Sequence, residues 1–152
     1  MKIMIVLLSL LAVFTACTTP KPVAANEEII SVLHGTNFGH CRGYCRKEVV
    51  FYPNQVDYLE ASVDSARNPL KVENFKNSAA WKSIVDKIDW NKFKDLKESY
   101  GCPDCADGGS EYIEIKTING TKRVTIEFNK EMSELEPLLT ELRTQRKKLL
   151  EK

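Results

Sequence analysis

The sequence predicts an α+β domain: an antiparallel sheet built from hairpins, with helices packed on one face. Two observations carry this. Alternating apolar runs are joined by short turn signals at Pro53-Asn54 and Asn119-Gly120, and after each hairpin apolar residues recur at helical spacing. No strand–helix–strand alternation calls for a parallel sheet. Hairpin followed by helix occurs twice, without a convincing internal repeat.

The elements follow in chain order. "IISVL", Ile29 to Leu33, is β-branched and apolar and reads as a first strand ending near His34. "HGTNFGHCRGYC", His34 to Cys45, reads as a long structured loop. From Arg46 to Ser62, Val49 and Phe51 alternate with Val50 and Tyr52, and Val56 and Tyr58 continue after Pro53 and Asn54, which supply turn geometry. Residues 63–75 form a polar excursion with a short extended piece near Leu70 to Val72.

Trp81, Ile84, Val85 and Ile88 then fall on one helical face, with Asn77 or Ser78 as N-cap and Trp81 expected against the sheet. Trp90, Phe93 and Leu96 predict a further helical turn. In Ser110 to Phe128, Tyr112, Glu114 and Lys116 alternate with Ile113, Ile115 and Thr117. Asn119-Gly120 between two such runs predicts a hairpin whose turn residues take positive φ. Leu135, Leu138, Leu139, Leu142 and Leu149 form the stripe of a terminal helix, with Ser133 and Glu136 at capping-box spacing and Pro137 in the first turn.

Before the domain, Lys2, an apolar run from Ile3 to Phe14 and small residues at Thr15 and Ala16 have the three parts of a secretory signal. The run is shorter than the roughly 20 residues that span a bilayer. "FTAC" is similar to a lipobox, with Cys17 as lipid acceptor and Phe14 in place of the usual leucine. Cleavage after "VAA", Val23 to Ala25, would instead give an ordinary secreted protein. The expected organisation is a signal peptide at 1–16, a Pro- and Thr-rich flexible tether at 17–28 and one α+β domain at 29–152. A covalent lipid such as palmitate contributes about 0.8 kcal/mol per buried methylene, so more than one chain is needed for stable anchoring.

The chain has 22 Lys and Arg against 21 Asp and Glu, and removal of Lys2 with the signal leaves it formally neutral. No basic stripe points to nucleic acid. The basic "RTQRKKLLEK" reads as the solvated face and end of a helix, where cations also favour the dipole, with membrane or anion binding as the alternative.

Four cysteines lie in two glycine-containing loops, Cys41 with Cys45 and Cys102 with Cys105. In an exported protein such pairs favour disulfides, with three possible connectivities. Pairing across the loops would close rings of roughly 60 residues and stabilise by about 4 kcal/mol; local pairing gives about 2 kcal/mol. Gly43 and Pro103 permit the tight turns that local pairs need.

"CPDC" is similar to the CxxC of thioredoxin-like oxidoreductases, but there the first cysteine opens a helix whose dipole lowers its pKa. Here two glycines and a strand follow. Four thiolates, or three with His40, would suit zinc by ligand type, yet export favours oxidation. Asp104, Asp107 and Glu111 offer oxygens near two glycines, without the spacing of an EF-hand. His34 and His40 read as structural or exposed, and no nucleophile with base and orienter stands out. No cofactor, metal or catalytic residue is expected.

"FGHCRGYC", Phe38 to Cys45, and "GCPDCADGGSEYIEI", Gly101 to Ile115, followed by a hairpin and a leucine-rich helix, resemble a set of uncharacterised bacterial lipoproteins common in Bacteroidota. The resemblance covers most of the chain after the tether. It implies export, lipidation and paired cysteine loops, and no activity. The expectation is a lipid-anchored cell-envelope lipoprotein facing the periplasm from the outer membrane, acting as a non-enzymatic binding or inhibitor module toward an envelope protein. The alternative is a thiol-redox or metal-binding protein using Cys102 and Cys105.

Overall fold

The computed structural model describes residues 27–76 and 79–151. The signal peptide, Cys17, most of the tether and the expected N-caps Asn77 and Ser78 lie outside them. The described chain is an α+β fold with seven strands in one sheet: β1 (Ile29–Asn37), β2 (Tyr44–Phe51), β3 (Gln55–Ser62), β4 (Lys71–Lys76), β5 (Ser99–Tyr100), β6 (Ser110–Thr117) and β7 (Gly120–Glu127). The spatial order is β4-β3-β2-β1-β6-β7-β5, antiparallel except for the two-residue β5, which runs parallel to β7. The helices are α1 (Ala79–Val85), α2 (Trp90–Lys94) and α3 (Glu136–Leu150). Among the described residues no helix is long and apolar enough to cross a membrane.

One sheet face is covered. Val32, Val49, Phe51, Ile113, Ile115, Val124 and Ile126 form a single core with Ala80 and Ile84 of α1, Phe93 of α2 and Leu138, Leu139 and Leu142 of α3. Apolar burial of this kind contributes about 1.5–3 kcal/mol per large side chain, so this layer is the main source of stability. Trp81, expected inside, is only partly buried against the core; Ala80 and Ile84 take the inner positions. The further helical turn expected at Trp90 and Phe93 is α2, and Asp89 caps it, its Oδ1 accepting from the backbone N–H of Lys92 at 3.2 Å.

Several boundaries differ from the sequence expectation. β1 runs to Asn37, so His34 sits inside a strand rather than at its end, and the first cysteine loop is shorter than His34–Cys45. Gly35 belongs in that strand because the Tyr112 ring lies where its side chain would be. The extended piece near Leu70 to Val72 is a full edge strand, β4, paired with β3 from Glu60↔Lys71 to Gln55↔Lys76. Its lysines and glutamate blunt an exposed edge.

In the second hairpin Thr117 pairs with Gly120, so the turn centres on Ile118-Asn119 rather than Asn119-Gly120. None of these turn residues has positive φ. The Thr117 hydroxyl fixes the alternative, accepting from the Asn119 N–H at 3.3 Å, with Glu27 Oε2 at 2.9 Å and the Gly120 carbonyl at 3.3 Å as acceptors for its single proton. The capping box does not form either: Leu135 is the N-cap of α3 without a side-chain bond, and the Ser133 hydroxyl donates to Glu134 instead.

Candidate functional site

The site begins with a period-2 consequence of β1. Val32, His34 and Thr36 share the covered face, and the pairing of β1 with β6 sets His34 opposite Ile113 and Thr36 opposite Glu111. His34 and Glu111 are therefore diagonal neighbours, within reach of long side chains. Both are buried, at 1% and 2% exposure, on a largely apolar face. A carboxylate in such a place needs partners for its charge and its lone pairs.

Those partners are present. His34 Nε2 lies 2.6 Å from Glu111 Oε1, and Arg143 of α3 donates from Nε to Oε1 at 3.0 Å and from Nη2 to Oε2 at 2.5 Å. Burial pushes the Glu111 carboxyl up, but the hydrogen bonds from His34 and Arg143 outweigh it and hold it down at about 2. Burial lowers His34 below the ordinary histidine value, against the pull of Glu111. The stable arrangement is a carboxylate paired with Arg143 and a neutral imidazole that donates Nε2–H. His34 Nδ1 is then a buried acceptor, without a hydrogen-bond partner among the described residues.

One helical turn beyond Arg143, at the i+3 spacing that keeps side chains on one face, Arg146 donates from Nη2 to the Thr36 hydroxyl at 3.0 Å. His34, Thr36, Glu111, Arg143 and Arg146 line a partly open cavity of about 410 Å³, with Phe128 and Leu150 as its apolar wall. The basic "RTQRKK" run is thus not simply a solvated helix face: Arg143 and Arg146 turn inward onto the sheet. A larger cavity of about 910 Å³, near Ile88, Phe93, Leu96, Leu135 and Leu138, lacks a buried ionic cluster.

The cysteines lie elsewhere. Cys41 is bonded to Cys45 and Cys102 to Cys105, with Cα atoms 5.6 and 5.4 Å apart. The two loops meet: the backbone N–H of Gly39 donates to Asp104 at 3.1 Å, His40 Nδ1 lies 2.9 Å from Asp107, and the rings of Phe38 and Phe128 stack edge to face at 4.8 Å. After Cys102–Cys105 the chain makes a three-residue 3-10 turn at Cys105–Asp107 and enters β6, so no α-helix opens at either sulfur. Gly101, Asp104, Ala106, Asp107 and Gly109 all take positive φ in this loop.

The suggested oxygen-ligand trio separates. Asp104 and Asp107 face the first cysteine loop, whereas Glu111 is committed to His34 and Arg143. Among the described residues no three His, Cys, Asp or Glu side chains gather as a metal site. No family model matches this chain, and no curated protein matches it.

The sequence hides the cluster because its pattern ends the first strand at His34 and sets the arginines on a solvated face. One signal was present: running the alternation of Ile113 and Ile115 back one step places Glu111 in the apolar row.

Proposed function

We propose that the protein is a lipid-anchored module of the cell envelope, tethered through Cys17 to the outer membrane on its periplasmic side, that binds its target rather than transforming it. The observation that carries the binding role is the pre-formed cavity in which Arg146, among the described residues, is hydrogen-bonded to a neutral hydroxyl and paired with no carboxylate. Export is supported by the lipobox-like "FTAC" and by bonded cysteine pairs in exposed loops. No nucleophile is hydrogen-bonded to His34 among the described residues, which favours binding, including action as an inhibitor of an envelope protein.

Metabolic labelling of cells with an alkyne fatty acid tests the anchor: label on the wild-type chain and none on Cys17→Ser is the expected result. Crosslinking in envelope extract tests the binding role. Recovery of no protein that depends on the wild-type chain counts against a protein target.

A second reading, a thiol-redox or metal-binding protein, is favoured by the exposed Cys102–Cys105 pair with its CxxC spacing. Intact mass after alkylation, with and without reductant, separates the two. Two stable disulfides and no bound metal sink the second.

A further inference from the structure

The charges around the cavity do not cancel in pairs. Arg143 answers Glu111, and Lys147 Nζ lies 3.7 Å from Glu151. Arg146 is left over: partly buried, bonded to the Thr36 hydroxyl, and with no carboxylate within 4 Å among the described residues. Burial lowers its pKa, and the Glu111 carboxylate, already paired with Arg143, offsets this only from a distance. A guanidinium presents a planar fork of donors suited to an oxyanion, and among the described residues Thr36 is the acceptor for one arm of it.

The second unpartnered group is His34 Nδ1, fully buried in the wall of the cavity and without a donor among the described residues. His34 and Thr36 are two residues apart on one strand face, so their Cα atoms stand roughly 6.6 Å apart. An acceptor and a cation are thus offered side by side, beneath the apolar wall of Phe128 and the half-exposed Leu150.

We infer that this cavity is a binding site for a small organic carboxylate that also carries a hydrogen-bond donor, such as a hydroxy acid. The carboxylate pairs with Arg146, the donor meets His34 Nδ1, and a short carbon chain lies against Phe128 and Leu150. One spare cation beside the Glu111 carboxylate suits a monoanion better than a phosphate dianion, which Glu111 would repel. The inference rests on the reading of the protein as a binding module and names the ligand class of its cavity. Its failure would leave the fatty-acid labelling of Cys17 untouched.

The test is a titration of the full chain carrying His40→Gln, so that the only imidazole ¹⁵N signals come from His34. The probes are 3-hydroxybutyrate, butyrate, butyramide and inorganic phosphate. A saturable shift of Nδ1 with 3-hydroxybutyrate is expected, weaker binding of butyrate, and none of butyramide. Arg146→Gln should weaken binding by about tenfold or more, as expected for loss of a charged hydrogen bond. Arg146→Lys, which keeps the charge, should retain it in part, and Thr36→Val should weaken it several-fold; these two serve if Arg146→Gln fails to fold. Equal binding of butyramide and butyrate, tighter binding of phosphate than of either acid, or no saturable shift would overturn the proposal.

Discussion

Glu111 and Glu48 are both buried carboxylates near the middle of the sheet, on opposite faces, and they are satisfied in different ways. On the covered face Glu111 is bound by Arg143 and His34. On the open face Glu48 accepts from the Tyr112 hydroxyl at 2.6 Å, with Arg46 Nε at 3.8 Å. Tyr112 reaches Glu48 by lying over Gly35, and Arg123 covers its ring at 4.6 Å while pairing with Glu114 at 2.9 Å. The open-face cluster closes on itself. The covered-face cluster leaves a guanidinium and an imidazole nitrogen over beside a cavity, and that surplus marks it as the place to bind something.

The largest expected difference comes from removing the buried carboxylate of the covered face. Glu111→Ala leaves Arg143 and His34 without their acceptor and should cost about 3 kcal/mol, the lower end for a broken buried pair, because Arg143 keeps some contact with water. Chemical denaturation measures it. A loss under about 1 kcal/mol would mean that the cluster is not a stabilising pair.

Acid should act on the same cluster. Glu111 has its folded pKa depressed to about 2, so its contribution is complete above the unfolded value of 4.5 and is lost as pH falls toward 2. His34 is also depressed: below pH 6.5 the unfolded chain takes up a proton that the folded chain refuses, so stability again falls as pH drops. The melting temperature should therefore decline from about pH 6.5 downward. Glu111→Gln should flatten the part below pH 4.5, and His34→Gln the part above it. An unchanged profile in both variants would place the acid sensitivity elsewhere.

The open face should respond through packing. Gly35→Ala drives a methyl group into the Tyr112 ring and should destabilise by about 2 kcal/mol, whereas the same exchange at Gly120, with nothing near, should be small. Tyr112→Phe removes only the bond to Glu48 and should cost about 1 kcal/mol. Neither open-face variant should alter the His34 imidazole, since the sheet separates the two clusters. A His34 shift in Tyr112→Phe would break the comparison.

The fold was legible where pattern and burial coincide. Alternation placed Ile113, Ile115, Val124 and Ile126 correctly, and the leucine stripe placed α3. It was least legible where a residue's neighbour decides its conformation. Gly35 looks like a loop residue until the Tyr112 ring is set over it, and Asn119-Gly120 looks like a positive-φ turn until Thr117 supplies its hydroxyl. The site was hidden for the same reason. Arg143 and Arg146 carry no sign in the sequence that they face a buried glutamate some thirty residues away, because the pairing exists only once α3 lies across β6 and β1. The cysteine pairs were visible as pairs, but spacing alone left their connectivity open.

The central claim is that the covered face holds an ionised Glu111 between Arg143 and a neutral His34 whose Nδ1 is free to accept. The ¹⁵N spectrum of the His34 ring at neutral pH tests it most directly. A neutral ring protonated at Nε2 and bare at Nδ1 is the predicted result; a ring protonated at Nδ1 alone, or a doubly protonated imidazolium, would contradict it.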